Sequence, residues 1–159
     1  MKSKQVLSVE QMKHLEEIGL DTSDVSVYWV RKSHGTRIDD NSKGKWFLSL
    51  QKEFITCGFT SYEVLPTYTL QDIIHNLPRF IGNKVLTIQK LADSYTCLYM
   101  EPYSGSMTNI TESKELIDAA YEMLCWCIEN GYVRKETENG SKERNNNRWS
   151  IACVEGNEM

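Results

Sequence analysis

The stretch ESKELIDAAYEMLCWCIENGY, residues 112–132, decides the fold because it carries the longest helical periodicity in the chain. At about 100° per residue, its polar positions fall within one narrow strip. That strip consists of Asp118, Glu122, Cys125 and Glu129. Every other residue from Leu116 to Ile128 is Leu, Ile, Ala, Tyr, Met, Trp or Cys. A helix with so narrow a polar strip is covered on most of its circumference. The sequence therefore predicts a helix over 112–130 against which the rest of the protein packs.

Residues at both ends of this stretch predict where the helix begins and ends. Thr111 is the predicted N-cap, because a threonine hydroxyl can accept a hydrogen bond from a free amide of the first turn. Asn130 and Gly131 predict a left-handed stop, after which Tyr132 folds back on Cys127.

Length and composition predict one intracellular domain. The chain has 159 residues, of which 40% are hydrophobic and 25% charged, enough to bury a core. No apolar run approaches the roughly 18 residues that a membrane span needs. The first residues, MKSKQVLSVEQ, contain no apolar segment of a secretory signal. We therefore expect a cytoplasmic protein that does not contact a membrane.

The net charge of −4 is concentrated in one region. Residues 111–133 contain five carboxylates and one lysine, and the remainder of the chain is balanced. Proteins that bind nucleic acid through phosphates carry a basic patch or stripe, which this chain lacks. We expect no nucleic-acid partner.

Two shorter helices are indicated by capping boxes, in which a side chain and a backbone amide at the helix start bond reciprocally. Ser8 and Gln11 form the first box, and Gly19 provides a stop, so a helix is predicted over 9–18. Thr69 and Asp72 form the second box. The second helix, 70–77, ends before Pro78, which disfavours helical geometry in the preceding residue.

Alternating apolar and polar residues predict strands at 25–31, 84–91 and 94–101 in one sheet, the last two joined as a hairpin. Leu86 and Ile88 are expected to face the core. On the second hairpin strand two faces remain open as the core face. The alternatives are Leu98 with Met100, or Tyr95 with Cys97 and Tyr99.

Other stretches are less regular. Residues 45–57 fit two short strands, which we favour, or one helix. The dipeptide at 65–66 is expected to break the chain, and 102–110 is expected to be a loop. Residues 134–159 are interpreted as a polar extension with a possible edge strand at 148–154. The predicted fold is a single α+β domain, residues 1–133, with an antiparallel or mixed sheet packed under a long C-terminal helix and two shorter helices.

The five cysteines predict neither a disulfide nor a metal site. Their number is odd, and no CxxC, HExxH or phosphate-loop motif occurs. Cys125 and Cys127 point about 200° apart on a helix, so they cannot bind one ion or form a dithiol pair. We expect reduced thiols, no metal and no cofactor, with Cys127 buried and Cys125 the more accessible. A contact between Cys125 and one of the three histidines, at 14, 34 or 75, remains open.

Two functions remain open from the residues. The first is a small protein-interaction module without catalytic activity, whose candidate partner surface is the strip Asp118, Glu122, Cys125 and Glu129, meeting a protein partner or a second copy. The abundant tyrosines and tryptophans fit either core packing or such a surface. The alternative is a small enzyme whose site is assembled from dispersed Cys, His and carboxylate residues. A histidine within hydrogen-bond reach of a cysteine or carboxylate in a cleft would favour the enzyme.

Three segments resemble a family of small uncharacterised proteins of Bacteroides-type gut bacteria and their phages or mobile elements. They are LSVEQMKHLEEIGLDTS (7–23), LPTYTLQDIIHNLP (65–78) and LIDAAYEMLCWCIENGY (116–132). The resemblance covers the helices and their entries and supplies no catalytic residues. It implies an intracellular accessory protein, which suits a binding role better than central metabolism.

Overall fold

A computed structural model describes residues 3–34, 44–53 and 60–134, and these residues form an α+β fold, as predicted. In chain order the described helices and strands are α1 (Val9–Glu17), β1 (Val27–His34), β2 (Phe47–Ser49), β3 (Thr60–Thr67), α2 (Leu70–Asn76), β4 (Phe80–Ile81), β5 (Lys84–Lys90), β6 (Tyr95–Met100), β7 (Met107–Ser113) and α3 (Leu116–Glu129). Residues 135–159, with the edge strand predicted at 148–154, lie outside the described residues.

The strands form two antiparallel sheets, where one was predicted. The first has the order β2-β1-β3 and the second the order β4-β5-β6-β7. The N-terminal segment joins the three-stranded sheet to the helices. Trp29 Nε1 of β1 and Thr67 Oγ1 of β3 both donate to the Leu7 carbonyl, at 2.8 and 2.9 Å.

Helix α3 is the centre of the fold, although its 14 residues make it shorter than predicted. It packs on β6 and β7 of the four-stranded sheet, and α2 packs against it from another side. Eight of its residues are buried: Ile117, Ala119, Ala120, Met123, Leu124, Cys125, Cys127 and Ile128. The core cluster around it also includes Leu15 of α1, Ile73 of α2 and Tyr99 of β6. The narrow polar strip in the sequence therefore reflects a helix that is covered on most sides.

The predicted start of α3 is wrong, and its predicted end is confirmed. Thr111 lies in β7, where its hydroxyl donates to the Ala119 carbonyl at 2.7 Å. The N-cap is Glu115, which makes no side-chain capping bond. At the other end Gly131 has a φ of 77°, and the Tyr132 amide donates to the Cys127 carbonyl at 2.8 Å.

Both capping boxes are confirmed. The Gln11 amide donates to Ser8 Oγ at 3.2 Å, and the Ser8 amide donates to Gln11 Oε1 at 3.0 Å. In α2 the Thr69 amide donates to Asp72 Oδ2 at 2.8 Å, while the Asp72 amide donates to Thr69 Oγ1. These bonds satisfy amides that have no partner within their own helix.

The hairpin of β5 and β6 is confirmed, and it settles which face of β6 meets the core. Cys97 and Tyr99 belong to the core cluster, with Leu86 packed against it. Of the two alternatives, the one containing Cys97 and Tyr99 is therefore right. Ile88 shares that face but lies towards its margin, 39% exposed.

Three strands, β3, β4 and β7, were not predicted. β2 confirms a strand in the first half of 45–57, whereas 54–59 lies outside the described residues. β3 runs through Pro66, where a chain break was predicted. A proline is tolerated on an edge strand, where its missing N–H need not face a neighbour, and β3 is an edge of the three-stranded sheet.

Candidate interaction surfaces

The predicted acidic strip is divided between internal contacts and free surface. Asp118 Oδ1 lies 2.5 Å from Lys4 Nζ and accepts a hydrogen bond from Gln11 Nε2 at 2.9 Å. Gln11 thus closes the capping box of α1 and also connects α1 to the first turn of α3. Only Glu122 and Glu129 of the strip are exposed. Asp118 is occupied within the molecule.

Cys125 was expected on a surface that meets a partner, but the structure buries it. Its residue is 8% exposed, against 0% for Cys127, so the predicted order of accessibility holds although both are buried. Its Sγ lies 3.7 Å from His14 Nδ1, and the same nitrogen lies 2.7 Å from the Tyr121 hydroxyl. His14 of α1 therefore covers the position on α3 that was expected to meet a partner.

The contact between His14 and Cys125 meets the distance criterion for the enzyme alternative but lacks the chemistry of an activated thiol. Burial raises the pKa of the Cys125 thiol, and the carboxylates of Glu129 and Glu122 raise it further, against a lowering by Tyr121. The reactive form of cysteine is the thiolate. A buried thiol with a raised pKa is an inert group that packs between two helices.

A polar cavity of about 570 Å³ lies between α2 and the turn after α1. Its walls include Asp21, Asp72 and His75. The carboxylates already stabilise local structure, since Asp21 accepts from the Ser23 amide and Asp72 caps α2. Across the described ranges, no group of three or more His, Cys, Asp or Glu residues is arranged to hold a metal ion.

A second cavity, of about 430 Å³, is a mainly apolar groove beside the three-stranded sheet. Its apolar lining comes from Val6, Val27, Leu48, Leu50 and Leu70. Leu50 is 79% exposed and Leu48 is 44% exposed. The groove is open to solvent.

A third candidate is the side of the four-stranded sheet that faces away from α3, which we call the outer face. Pairing places six apolar residues on it: Phe80, Val85, Leu98, Met100, Met107 and Ile110. Three of the six are among the most exposed large hydrophobic residues that the structure describes. Phe80 is 54% exposed, Met107 53% and Ile110 55%. Leu98, at the centre, is 1% exposed although it lies outside the core cluster.

A bulge in β7 creates this face. The register shifts between Leu98 and Tyr99 of β6, and Asn109 of β7 takes a φ of 45°. One extra residue on the bulged strand places Met107 and Ile110 on the same face, although they are three positions apart. Strand prediction from alternation fails for such a spacing. The β-branched residues Thr108, Ile110 and Thr111, after Gly105, were the only signal of a strand here.

The centre of the outer face is uncharged, and charge is found at two opposite corners. Thr87, Gln89 and Thr96 complete the face between the apolar residues. At one corner the Arg79 guanidinium lies over the Phe80 ring, 5.1 Å from its centroid. At the diagonally opposite corner the Glu112 carboxylate accepts from Ser94.

Comparisons of the chain with protein-family models, with curated proteins and with solved structures give no match. Among the helices of the described ranges, none combines the length and the apolarity that crossing a bilayer requires. The geometry of the surfaces therefore carries the functional argument.

Proposed function

We propose that this protein is a protein-interaction module that binds its partner through the outer face of the four-stranded sheet. The observation that carries this proposal is the exposure of Phe80, Met107 and Ile110 by more than half on one face that α3 does not cover. Exposed apolar residues that stand singly are normal, whereas a contiguous apolar patch marks a binding surface.

The composition of the outer face fits the centre of a protein interface. Such centres are depleted in charge and enriched in aromatic residues and methionine, with arginine also favoured. Here Phe80, Met100 and Met107 lie among uncharged neighbours, with Arg79 at the margin. A rigid sheet presents these side chains without a cost for ordering a loop.

The exposed part of the acidic strip is a separate candidate surface. Glu122 and Glu129 are exposed on α3 and add negative charge on the other side of the sheet from the outer face. Their role as a partner surface remains a prediction, as do the cytoplasmic location and the accessory role implied by the resemblance.

Site-specific photo-crosslinking in the native cell tests the proposal. Benzoylphenylalanine in place of Ile110 keeps the outer face apolar and should give discrete adducts. The same group in place of Glu17, an exposed residue of α1, is the matched control and should give none. A third position, Glu122, tests the acidic strip. Adducts from position 122 and none from position 110 would show that the partner binds the acidic strip instead of the outer face. Equal adducts from all three positions would show that no specific surface binds the partner.

The enzyme alternative keeps one observation in its favour, the 3.7 Å contact between Cys125 Sγ and His14 Nδ1. It requires a thiol that reacts faster than a free cysteine at neutral pH. The raised pKa of the Cys125 thiol favours the opposite result.

A further inference from the structure

We infer that the partner of the outer face is a second copy of this chain, packed face to face with the strands of the two sheets crossing at nearly a right angle. This inference rests on the proposed function and names the occupant of the same surface. Three features carry it: the uncharged centre, the opposite charges at the two corners, and the extent of the face.

Because its centre is uncharged, the outer face of one copy can pack against the outer face of a second copy without charge repulsion. In a two-fold dimer each surface patch meets the same patch of the other copy. Charges near the axis would then face charges of the same sign. The rows through Leu98 and Met100 contain apolar residues and threonine only, namely Thr87, Leu98 and Ile110 in one row and Phe80, Val85, Met100 and Met107 in the other.

The charged corners are complementary under one two-fold operation. The Arg79 backbone lies at the β4 edge opposite Leu86, and its guanidinium reaches over the ring of Phe80, in the row that contains Val85. Glu112 lies on β7, at the opposite edge and in the row that contains Gln89. A two-fold axis in the plane of the interface, perpendicular to the diagonal that joins these corners, brings Arg79 of each copy to Glu112 of the other. The two-fold symmetry therefore forms the pair of Arg79 and Glu112 twice in each dimer.

The same diagonal fixes the crossing angle. Counted from Phe80, whose ring the guanidinium covers, the corners are three strand spacings apart, about 14 Å, and four residues apart along a strand, also about 14 Å. The diagonal therefore lies at about 45° to the strands, and rotation about the axis perpendicular to it turns the strands of the second copy by about 90°. Orthogonal packing is one of the two arrangements in which sheets pack face to face.

The extent of the face predicts a weak dimer. Four strands and about six residues give a face of roughly 20 by 20 Å, or on the order of 400 Å² in projection. A standard interface buries about 800 Å² on each partner, and smaller ones are transient. We expect monomers at low concentration and dimers with a dissociation constant on the order of 10 µM to 1 mM.

Sedimentation equilibrium of the full chain, from about 10 µM to about 1 mM, tests this arrangement. Glu112→Arg and Arg79→Glu should each raise the dissociation constant roughly 3- to 10-fold, because each places like charges together twice. The variant that combines both exchanges should return to within about 3-fold of the wild type. Glu122→Arg, the same charge change away from the face, should leave the constant unchanged.

Ile110→Lys provides the apolar arm of the experiment. It should raise the dissociation constant by at least about 10-fold, since it places a charge in the apolar row beside Leu98. Leu50→Lys, on the other sheet and 79% exposed, is its control and should have no effect. Circular dichroism checks that every variant is folded.

The outcomes separate this inference from the proposed function. A wild-type chain that stays monomeric at about 1 mM overturns the second copy as the partner, whereas crosslinks from position 110 to another protein would still support the proposed function. Dimerisation that Ile110→Lys does not weaken, or that the double exchange does not restore, overturns the arrangement. Loss of dimerisation in both single exchanges with recovery in the double exchange supports it.

Discussion

The carboxylate of Asp118 accepts hydrogen bonds from Lys4 and Gln11, whereas Glu122, one helical turn further on, is exposed. Helical phase places both residues on one strip, and the sequence predicted that strip correctly. It did not predict that His14 of α1 and Lys4 of the N-terminal segment would lie across it. Contacts between residues more than a hundred positions apart depend on how the helices pack, and a single sequence contains no direct record of that packing.

The thiols should differ in reactivity at neutral pH. Of the three thiols that the structure describes, Cys125 is 8% exposed and Cys97 and Cys127 are fully buried, so a thiol reagent should label Cys125 before the other two. All three should react more slowly than free cysteine, because burial raises the pKa of each thiol. Mass spectrometry of the native protein after timed labelling measures the order. Labelling of Cys125 faster than free cysteine would instead favour the enzyme alternative.

Buried thiols should make stability fall at alkaline pH. Burial and the neighbouring Cys127 raise the pKa of Cys97 to about 12, and burial raises the pKa of Cys127 to about 11, both from 9.0. Below pH 9 the thiols are protonated in the folded and the unfolded chain. Above pH 9 the thiols ionise only in the unfolded chain. The free energy of unfolding should therefore fall by roughly 1.4 kcal/mol per pH unit for each thiol.

Urea unfolding at intervals from pH 8 to pH 10 measures this loss. The variant Cys97→Ala is the control, since it removes one of the buried thiols whose pKa is raised and should show a shallower dependence on pH, whatever its stability at pH 8. Stability that rises from pH 9 to pH 10, or a slope that Cys97→Ala does not change, would show that Cys97 is not buried as described.

At the scale of elements, local signals predicted α1, α2 and the hairpin of β5 and β6. Their capping residues and alternation act within a few positions, so they can be seen in the sequence. β7 was missed because the bulge at Asn109 interrupts its alternation. β3 was missed because Pro66 usually ends a strand, and only the sheet order shows that it lies at an edge. The candidate binding face depends on β7 and was missed with it.

The bulge at Asn109 should tolerate glycine and reject a β-branched residue. Asn109 has a φ of 45°, a left-handed conformation that asparagine and glycine adopt more readily than other residues. Asn109→Gly should leave the free energy of unfolding nearly unchanged, and Asn109→Val should lower it by about 1–2 kcal/mol. Chemical unfolding of both variants measures the difference. Equal stabilities would show that β7 has a regular register, which would place Met107 and Ile110 on opposite faces.

At the scale of the whole molecule, α3 is covered by the four-stranded sheet and by other helices, which explains why so little of it is polar. The sequence predicted the α+β class and the central role of this helix. It predicted one sheet, because the number of sheets depends on which strand edges pair. The pairing of β1 with β3 joins residues separated by up to 40 positions. No local pattern shows this pairing.

Core and outer face should respond differently to substitution. Leu124 is fully buried, so Leu124→Ala should lower the free energy of unfolding by about 2–5 kcal/mol. Ile110 is 55% exposed, so Ile110→Lys should change it by no more than about 0.5 kcal/mol while it weakens association. Urea unfolding at a concentration where the chain is monomeric measures both. A large loss for Ile110→Lys would place that residue in the core.

The central claim, that the outer face is the surface that meets a second copy, is tested most directly by methionine methyl NMR of the full chain at increasing concentration. Met100 and Met107 lie on the outer face, whereas Met12 and Met123 are buried in the core. The account predicts that the methyl signals of Met100 and Met107 shift or broaden with concentration and that those of Met12 and Met123 stay unchanged. Signals that all remain constant up to about 1 mM, or that shift together, would contradict it.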